Sequence, residues 1–246
     1  MPRIGVTTGF GIVRAEGGTE LHRLTLDVNY CDMIRRAGGR PIVIPPTEDR
    51  DCLVAELDDL DGLLLSGSND IVPARYGAEP HPQTEPMLPR RDASDFSVIA
   101  FADERELPVL AVCGGLQEWN AHRGGTLIQH IPDREALPEI VHRDPQRKQF
   151  LHHRVRLAEG SLLRRIAGNE WLTVNSWHHQ ALDRMGHDLV PTAWSDDGII
   201  EAAEDPHHQF WIGVQWHPEN MVDDPIQRRL FNALVEAAGK GVRKIF

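Results

Sequence analysis

Short runs of Val, Ile and Leu alternate with helix-period segments through the first half of the chain, and this alternation restricts the fold more than any other feature. The runs "RIGVTT" (3–8), "RPIVIP" (40–45), "GLLLS" (62–66) and "PVLAV" (108–112) are too short for helices. Their near-continuous apolar character reads as strands buried on both faces. Between the first two, residues 20–37 carry Leu24, Val28, Cys31 and Ile34 at three- and four-residue steps before Gly38 and Gly39. That spacing predicts one helix closed by a glycine C-cap. Residues 92–106 place Phe96, Ile99 and Ala100 on one helical face. Strands separated by helices imply βαβ units and a parallel sheet.

The second half is richer in strands: "RVRLA", "WLTVNS", "GIIEAA" and "FWIGVQW" follow one another with turn residues between them. A closing helix is predicted where Asp224 can cap, Pro225 suits the first turn, and Ile226, Leu230, Leu234 and Ala238 share a face. The Pro-rich stretch 80–91 reads as a surface loop, and no repeat or linker divides the chain. A single domain over residues 1–246 is the expectation. The net charge of −11 argues against a nucleic-acid partner, which would meet a basic patch. No apolar run approaches a membrane span and the N-terminus shows no signal-peptide pattern, so the expected setting is cytoplasmic, without a membrane partner. Cys31, Cys52 and Cys113 lack the paired spacing of zinc motifs, so a special cysteine here must act alone.

One cysteine stands out. In "PVLAVCGGLQEWN", Cys113 ends an apolar strand and is followed at once by Gly114 and Gly115. Two glycines permit the sharp strand-to-helix turn of a nucleophile elbow, and the amides of a following helix would favour thiolate over thiol. A buried cysteine filling a core has equal claim to this stretch. A nucleophile also needs a base with an orienting partner. "IGVQWHPENM" offers His217 and Glu219, two apart on extended backbone, with Pro218 disfavouring helix at His217. The carboxylate could hold one imidazole nitrogen while the other faces the thiol. A histidine that is merely structural is the commoner case. In "LLLSGSNDIVPARYG", Ser66-Gly67-Ser68 at a strand end could supply main-chain donors to an oxyanion, although Gly-Ser-Asn-Asp is also ordinary turn chemistry.

Together these stretches resemble the class I glutamine amidotransferase superfamily, and within it the peptidase C26 branch that includes gamma-glutamyl-gamma-aminobutyrate hydrolase. The likeness rests on "AVCGGLQEWNAHRGGTLIQHI", on "SGSNDIVPARYG" with Pro73, Tyr76 and Gly77, on "VNSWHHQAL" and on "GVQWHPE". The resemblance implies an α/β, flavodoxin-like three-layer fold with a central mostly parallel sheet and added antiparallel strands in the second half. It implies Cys113 as nucleophile, His217 as base and Glu219 as its orienter, with oxyanion donors from the backbone of Gly67 or Ser68 and of Gly114. Gln117, Asn175, Ser176, His178, His179 and Tyr76 would then line the pocket of a small-molecule gamma-glutamyl substrate.

Two departures stand against the family pattern. Many relatives have Arg after the cysteine where this chain has Gly114, and Pro-Gly-Gly where it has Ser66-Gly67-Ser68. Neither removes a triad member. The implied reaction is hydrolysis of a gamma-glutamyl amide through a cysteinyl thioester, without cofactor or metal. The paired histidines (152–153, 178–179, 207–208) lack His-Glu-x-x-His spacing, and neighbours on a strand point to opposite faces. Trp177, Trp211 and Trp216 read as core or pocket wall. A glutaminase subunit feeding a separate synthase and a non-catalytic gamma-glutamyl binder are the alternative functions. Loops 78–91 and 133–150 are expected to set specificity, and the oligomeric state stays open, a homodimer included.

Overall fold

The structure, a computed structural model, describes residues 1–134 and 140–240; part of the expected specificity loop 133–150 lies outside them. The chain opens with β1 (Arg3–Thr7) and then forms a hairpin of β2 (Gly9–Arg14) and β3 (Glu20–Thr25). Helix α1 (Val28–Arg36) starts only after it, with the Asp27 carboxylate accepting from Asn29 N. The single helix expected over 20–37 is therefore a strand followed by a shorter helix. Its helix-period residues belong to two environments: Leu24 and Val28 are exposed, whereas Cys31 and Ile34 are buried. Asp27 provides the stop, because a residue whose side chain caps a helix must itself be extended.

The order continues with β4 (Arg40–Ile44), α2 (Arg50–Leu57), β5 (Gly62–Leu65), α3 (Pro89–Glu104), β6 (Val109–Val112), α4 (Gly114–His122) and β7 (Leu127–Ile128). The second half adds β8 (Leu151–Leu157), α5 (Leu162–Ala167), β9 (Trp171–Ser176), β10 (Ala181–Leu182), β11 (Val190–Ser195), β12 (Ile200–Glu204), β13 (Trp211–Val214) and α6 (Pro225–Gly239). The main sheet runs β4-β1-β5-β6-β13-β12-β11-β8-β9, with β10 and β7 paired beside β12. Pairings from β4 through β13 are parallel. Those from β13 through β9 are antiparallel. The expected parallel centre with antiparallel additions is thus present, the two kinds of pairing sharing the sheet.

Helices cover both faces. Leu64, Leu110 and Val112 join Tyr30, Ile34, Leu163, Leu230 and Phe231 on one side, whereas Leu63, Leu65 and Ala111 join Leu53, Val98, Leu116 and Trp119 on the other. This two-sided burial is why the parallel strands read as unbroken apolar runs. The closing helix forms as its sequence predicts, with the Asp224 carboxylate accepting from Ile226 N at 2.8 Å. Trp211 and Trp216 are core, and Trp177 lines the main cavity. The carboxyl ends of β5, β6 and β13 lie side by side, at the edge of the sheet where doubly wound folds gather their ligands. Among the described residues no helix is long and apolar enough to cross a membrane.

Candidate active site

Cys113 sits between the end of β6 and the first turn of α4 with φ 51° and ψ −106°. A non-glycine residue there is strained, and the surrounding structure holds it: its N–H donates to Val214 O at 2.8 Å, and its carbonyl accepts from the Leu116 and Gln117 amides. The side chain is raised toward the neighbouring strand end, where Gln215 Nε2 donates to Sγ at 3.5 Å. Gln117 Nε2 in turn donates to Gln215 Oε1 and to Gln180 O, both at 3.1 Å. Gln117 lines the cavity, but its Nε2 is committed to this chain of contacts to the thiol. Gln215 lies within the "GVQWHPE" stretch, yet nothing in spacing singles it out.

His217 faces the same space from just beyond β13. Its Nδ1 lies 2.7 Å from Glu219 Oε1, so the carboxylate holds the proton on that nitrogen and leaves Nε2, which has no hydrogen-bond partner, for the thiol. Burial disfavours the imidazolium, but the charges of Glu219 and Cys113 outweigh it and hold the His217 pKa well above the usual histidine value. The ring is fixed through its backbone. Asn175 Oδ1 accepts from His217 N and Asn175 Nδ2 donates to His217 O, each at 2.8 Å. Asn175 is therefore a clamp on the histidine rather than a pocket-lining residue. Ser176 likewise lies away from the pocket, donating to His142 O at 2.6 Å.

The two loop amides separate cleanly. Gly67 N donates to Tyr30 Oη at 3.0 Å, whereas the amides of Ser68 and Gly114 meet no acceptor among the described residues. Burial and the Glu219 charge push the Tyr30 phenol well above its ordinary pKa, so it remains the neutral acceptor that occupies Gly67. Ser68 and Gly114 are the free pair, and Gly67 drops out of the expected donor set. A Cβ on Gly67 would lie 3.0 Å from the His217 ring, so a side chain there would press on the ring. A Cβ on Gly114 would lie 2.6 Å from the Ser68 amide nitrogen. The two departures from the family pattern thus compensate: Ser68 fills the room that a side chain at 114 would need. A fixed cation is nevertheless close by. Buried Arg91 donates to Ser66 Oγ and Gly67 O at 3.1 Å and pairs with Asp95 at 2.8 Å. Behind the elbow, burial and then Asp95 raise the Glu118 carboxyl well above its normal range.

These groups open onto one cavity of about 830 Å³, large enough for a small molecule. Ser68, Cys113, Gln117, His178, His179 and His217 line it. Tyr76 does not: it is buried in the core beneath α3 and α4, where burial pushes its phenol up to about 12. His179 Nε2 is held by Asp70 Oδ1 at 3.0 Å, which anchors the cavity floor. The wall also includes the β2–β3 hairpin through Phe10, which has no sequence signal, and two residues of the expected specificity loop 133–150 that no motif singles out individually: Phe150, against the His217 ring at 5.6 Å, and Arg143. Arg143 makes no salt bridge among the described residues and its Nε has no hydrogen-bond partner. Arg147, also at the wall, is paired to Glu85.

The model of the peptidase C26 family matches residues 2–219. A Mycobacterium tuberculosis protein provisionally named a glutamine amidotransferase is 40% identical over 238 residues, covering 96% of this chain and 75% of that one. The gamma-glutamyl-gamma-aminobutyrate hydrolase of Escherichia coli is 35% identical over 225 residues, covering 87% and 86% respectively. Among solved structures, a Thermoplasma acidophilum protein provisionally described as part of a GMP synthase superposes with a TM-score of 0.67 at 18% identity. That match covers 98% of this chain and 95% of that chain, a likeness of fold.

Proposed function

The chain belongs to the peptidase C26 family, and on that premise we propose that it hydrolyses the gamma-glutamyl amide of a small amine to glutamate and the free amine. The observation that carries the proposal is the strained Cys113 elbow opening on the same cavity as the His217–Glu219 pair. In the proposed reaction His217 Nε2 takes the proton of the Cys113 thiol as the sulfur attacks the side-chain carbonyl carbon, and the C=O electron pair moves onto the carbonyl oxygen. The Ser68 and Gly114 amides receive that oxygen; one such donor typically contributes about 3 kcal/mol to the transition state. His217 gives its Nε2 proton to the departing nitrogen as the C–N bond breaks, leaving a glutamyl thioester. Water, deprotonated by the same nitrogen, attacks the thioester, and glutamate leaves as the thiol is restored.

For the glutamyl half, Arg143 is the proposed partner of the α-carboxylate, matching a planar cation to a planar anion. Asp70 and Glu85 at the same wall suit the α-ammonium. No step needs a cofactor or metal at the thiol. Loops 78–91 and 133–150, which contribute Met87, Arg143 and Phe150 to the cavity, are proposed to select the amine. The test is a panel of gamma-glutamyl amides, among them gamma-glutamyl-gamma-aminobutyrate, gamma-glutamyl polyamines and glutamine, assayed for released glutamate. Turnover of at least one non-glutamine member, lost in Cys113→Ala, is expected. Turnover of none, or turnover unaffected by Cys113→Ala, would overturn the proposal.

A further inference from the structure

Four side chains that the proposed reaction does not use converge in the antiparallel half of the sheet. His142 lies in the loop before β8, His153 on β8, His178 just past β9, and Glu201 on β12; all four are buried. Their candidate donor atoms lie within 4.8 Å of one another. Glu201 Oε1 is 3.3 Å from His142 Nδ1, 3.4 Å from His153 Nε2 and 3.6 Å from His178 Nε2. Neither Glu201 oxygen and none of these three nitrogens has a hydrogen-bond partner among the described residues.

The far nitrogen of each ring fixes its tautomer. His142 Nε2 lies 2.9 Å from Asp197 Oδ2, His178 Nδ1 lies 2.9 Å from Gln180 O, and His153 Nδ1 lies 3.3 Å from Arg154 O. Carboxylate and carbonyl oxygens only accept, so the outer nitrogens carry the protons and the inner ones present lone pairs. Three imidazole lone pairs and a carboxylate then face one centre with no donor between them. Buried acceptors so arranged are costly unless a cation joins them. A proton on one ring would satisfy one contact of three, and charge-assisted hydrogen bonds normally close to about 2.7–2.9 Å. A tetrahedral zinc ion with bonds of about 2.0–2.1 Å requires ligand–ligand edges of about 3.3–3.4 Å. The Glu201 separations of 3.3, 3.4 and 3.6 Å lie at or just above those edges, and with all the candidate atoms within 4.8 Å of one another a small inward shift of the rings would complete the tetrahedron. The outer acceptors are also what metal-bound histidines use to fix their rings.

We propose that His142, His153, His178 and Glu201 bind one Zn²⁺ as a closed structural site. Three imidazoles and one carboxylate suit zinc rather than calcium or magnesium, and four buried protein ligands leave no position for a reactive water. The ion would join the loop before β8, the segment after β9 and strand β12. His142 O already receives Ser176 Oγ and His178 N, at 2.6 and 3.2 Å. Arg143 is next in the chain, and Arg147 and Phe150 follow, so the ion anchors the loop that walls the cavity. Neighbouring histidines do point to opposite faces, as expected: exposed His152 lies outside the cluster that buried His153 enters.

The test uses the full chain freed of any polyhistidine tag, stripped with chelator and retitrated with Zn²⁺, and with Co²⁺ as a spectroscopic probe. Elemental analysis should give about one zinc per chain, and Co²⁺ should give the intense visible absorption of a tetrahedral site. Zn²⁺ should raise the thermal midpoint by on the order of 10 °C. The shape-conserving Glu201→Gln variant should lose stoichiometric binding and the midpoint shift, whereas Cys113→Ala should keep both. Stripped, folded wild-type protein that binds neither ion and shows an unmoved midpoint would overturn the proposal. So would binding lost in Cys113→Ala and kept in Glu201→Gln, which would put the ion at the thiol. If Glu201→Gln fails to fold, the wild-type titration and the Cys113→Ala arm decide.

Discussion

Among the described residues the molecule buries two histidine–glutamate groups, and they are built in opposite ways. At the cavity, Glu219 takes one nitrogen of a single ring, and the other nitrogen is left toward a thiol beside open space. In the antiparallel half, three rings have their outer nitrogens occupied and turn their inner nitrogens onto one carboxylate, all the candidate ligand atoms within 4.8 Å of one another. The same residue types thus suit proton transfer in one place and ion binding in the other. What separates them is where the second imidazole nitrogen points, and whether substrate or only other ligands can reach it.

The largest expected contrast comes from one variant in each group. Cys113→Ala should lower glutamate release by about 10⁵-fold or more while leaving the thermal midpoint within about 2 °C of the parent. Glu201→Gln should do the reverse, with a lower midpoint and measurable turnover at lower temperature. A Glu201→Gln protein as inactive as Cys113→Ala yet fully stable would break the comparison.

Glu219→Gln should reduce kcat by about 10³-fold, as expected when a histidine loses the carboxylate that sets its tautomer. Its stability effect has a definite sign. A histidine whose folded pKa is raised contributes stability that is complete below its unfolded value of about 6.5 and fades as pH rises through the folded one. Because Glu219 is the main cause of that rise, denaturant unfolding should show the Glu219→Gln deficit largest at acid pH and shrinking toward alkaline pH. Next in size, Gly114→Ala should cost about 10²-fold in kcat, because its methyl would press on the Ser68 amide proposed to hold the oxyanion. Arg143→Ala should raise KM about 10-fold with kcat little changed, the pattern of a lost substrate contact. The smallest effect is expected at Glu118→Gln. Its raised carboxyl gives stability that is present below about pH 4.5 and lost as pH rises, so the variant should flatten that slope and gain a few degrees at alkaline pH.

Legibility in the sequence follows how local each feature is. The parallel strands are readable because burial on both faces writes itself as continuous Val, Ile and Leu. The hairpin over Gly9–Arg14 and Glu20–Thr25 is not, because nearly all of it is exposed and lacks a buried face to impose alternation; Leu24 then falls by chance in helical step with Val28. The cysteine elbow and the His217–Glu219 pair are each carried within a few residues, so their chemistry shows before the fold does. Asn175, Tyr30 and Gln215 act through contacts between distant elements, and a motif containing Asn175 is equally consistent with lining a pocket. The buried histidine cluster is the extreme case: four elements contribute one ligand each, and His152 and His179 mask the two neighbours that matter.

The proposed chemistry stands or falls on whether the sulfur of Cys113 carries the glutamyl group. Protein acid-quenched during turnover of a gamma-glutamyl amide and weighed intact answers that question. A mass increase of one glutamyl group is expected, localised by digestion to the peptide bearing Cys113 and absent from Cys113→Ala. Steady release of glutamate with no such adduct, continuing in the Cys113→Ala protein, would contradict it.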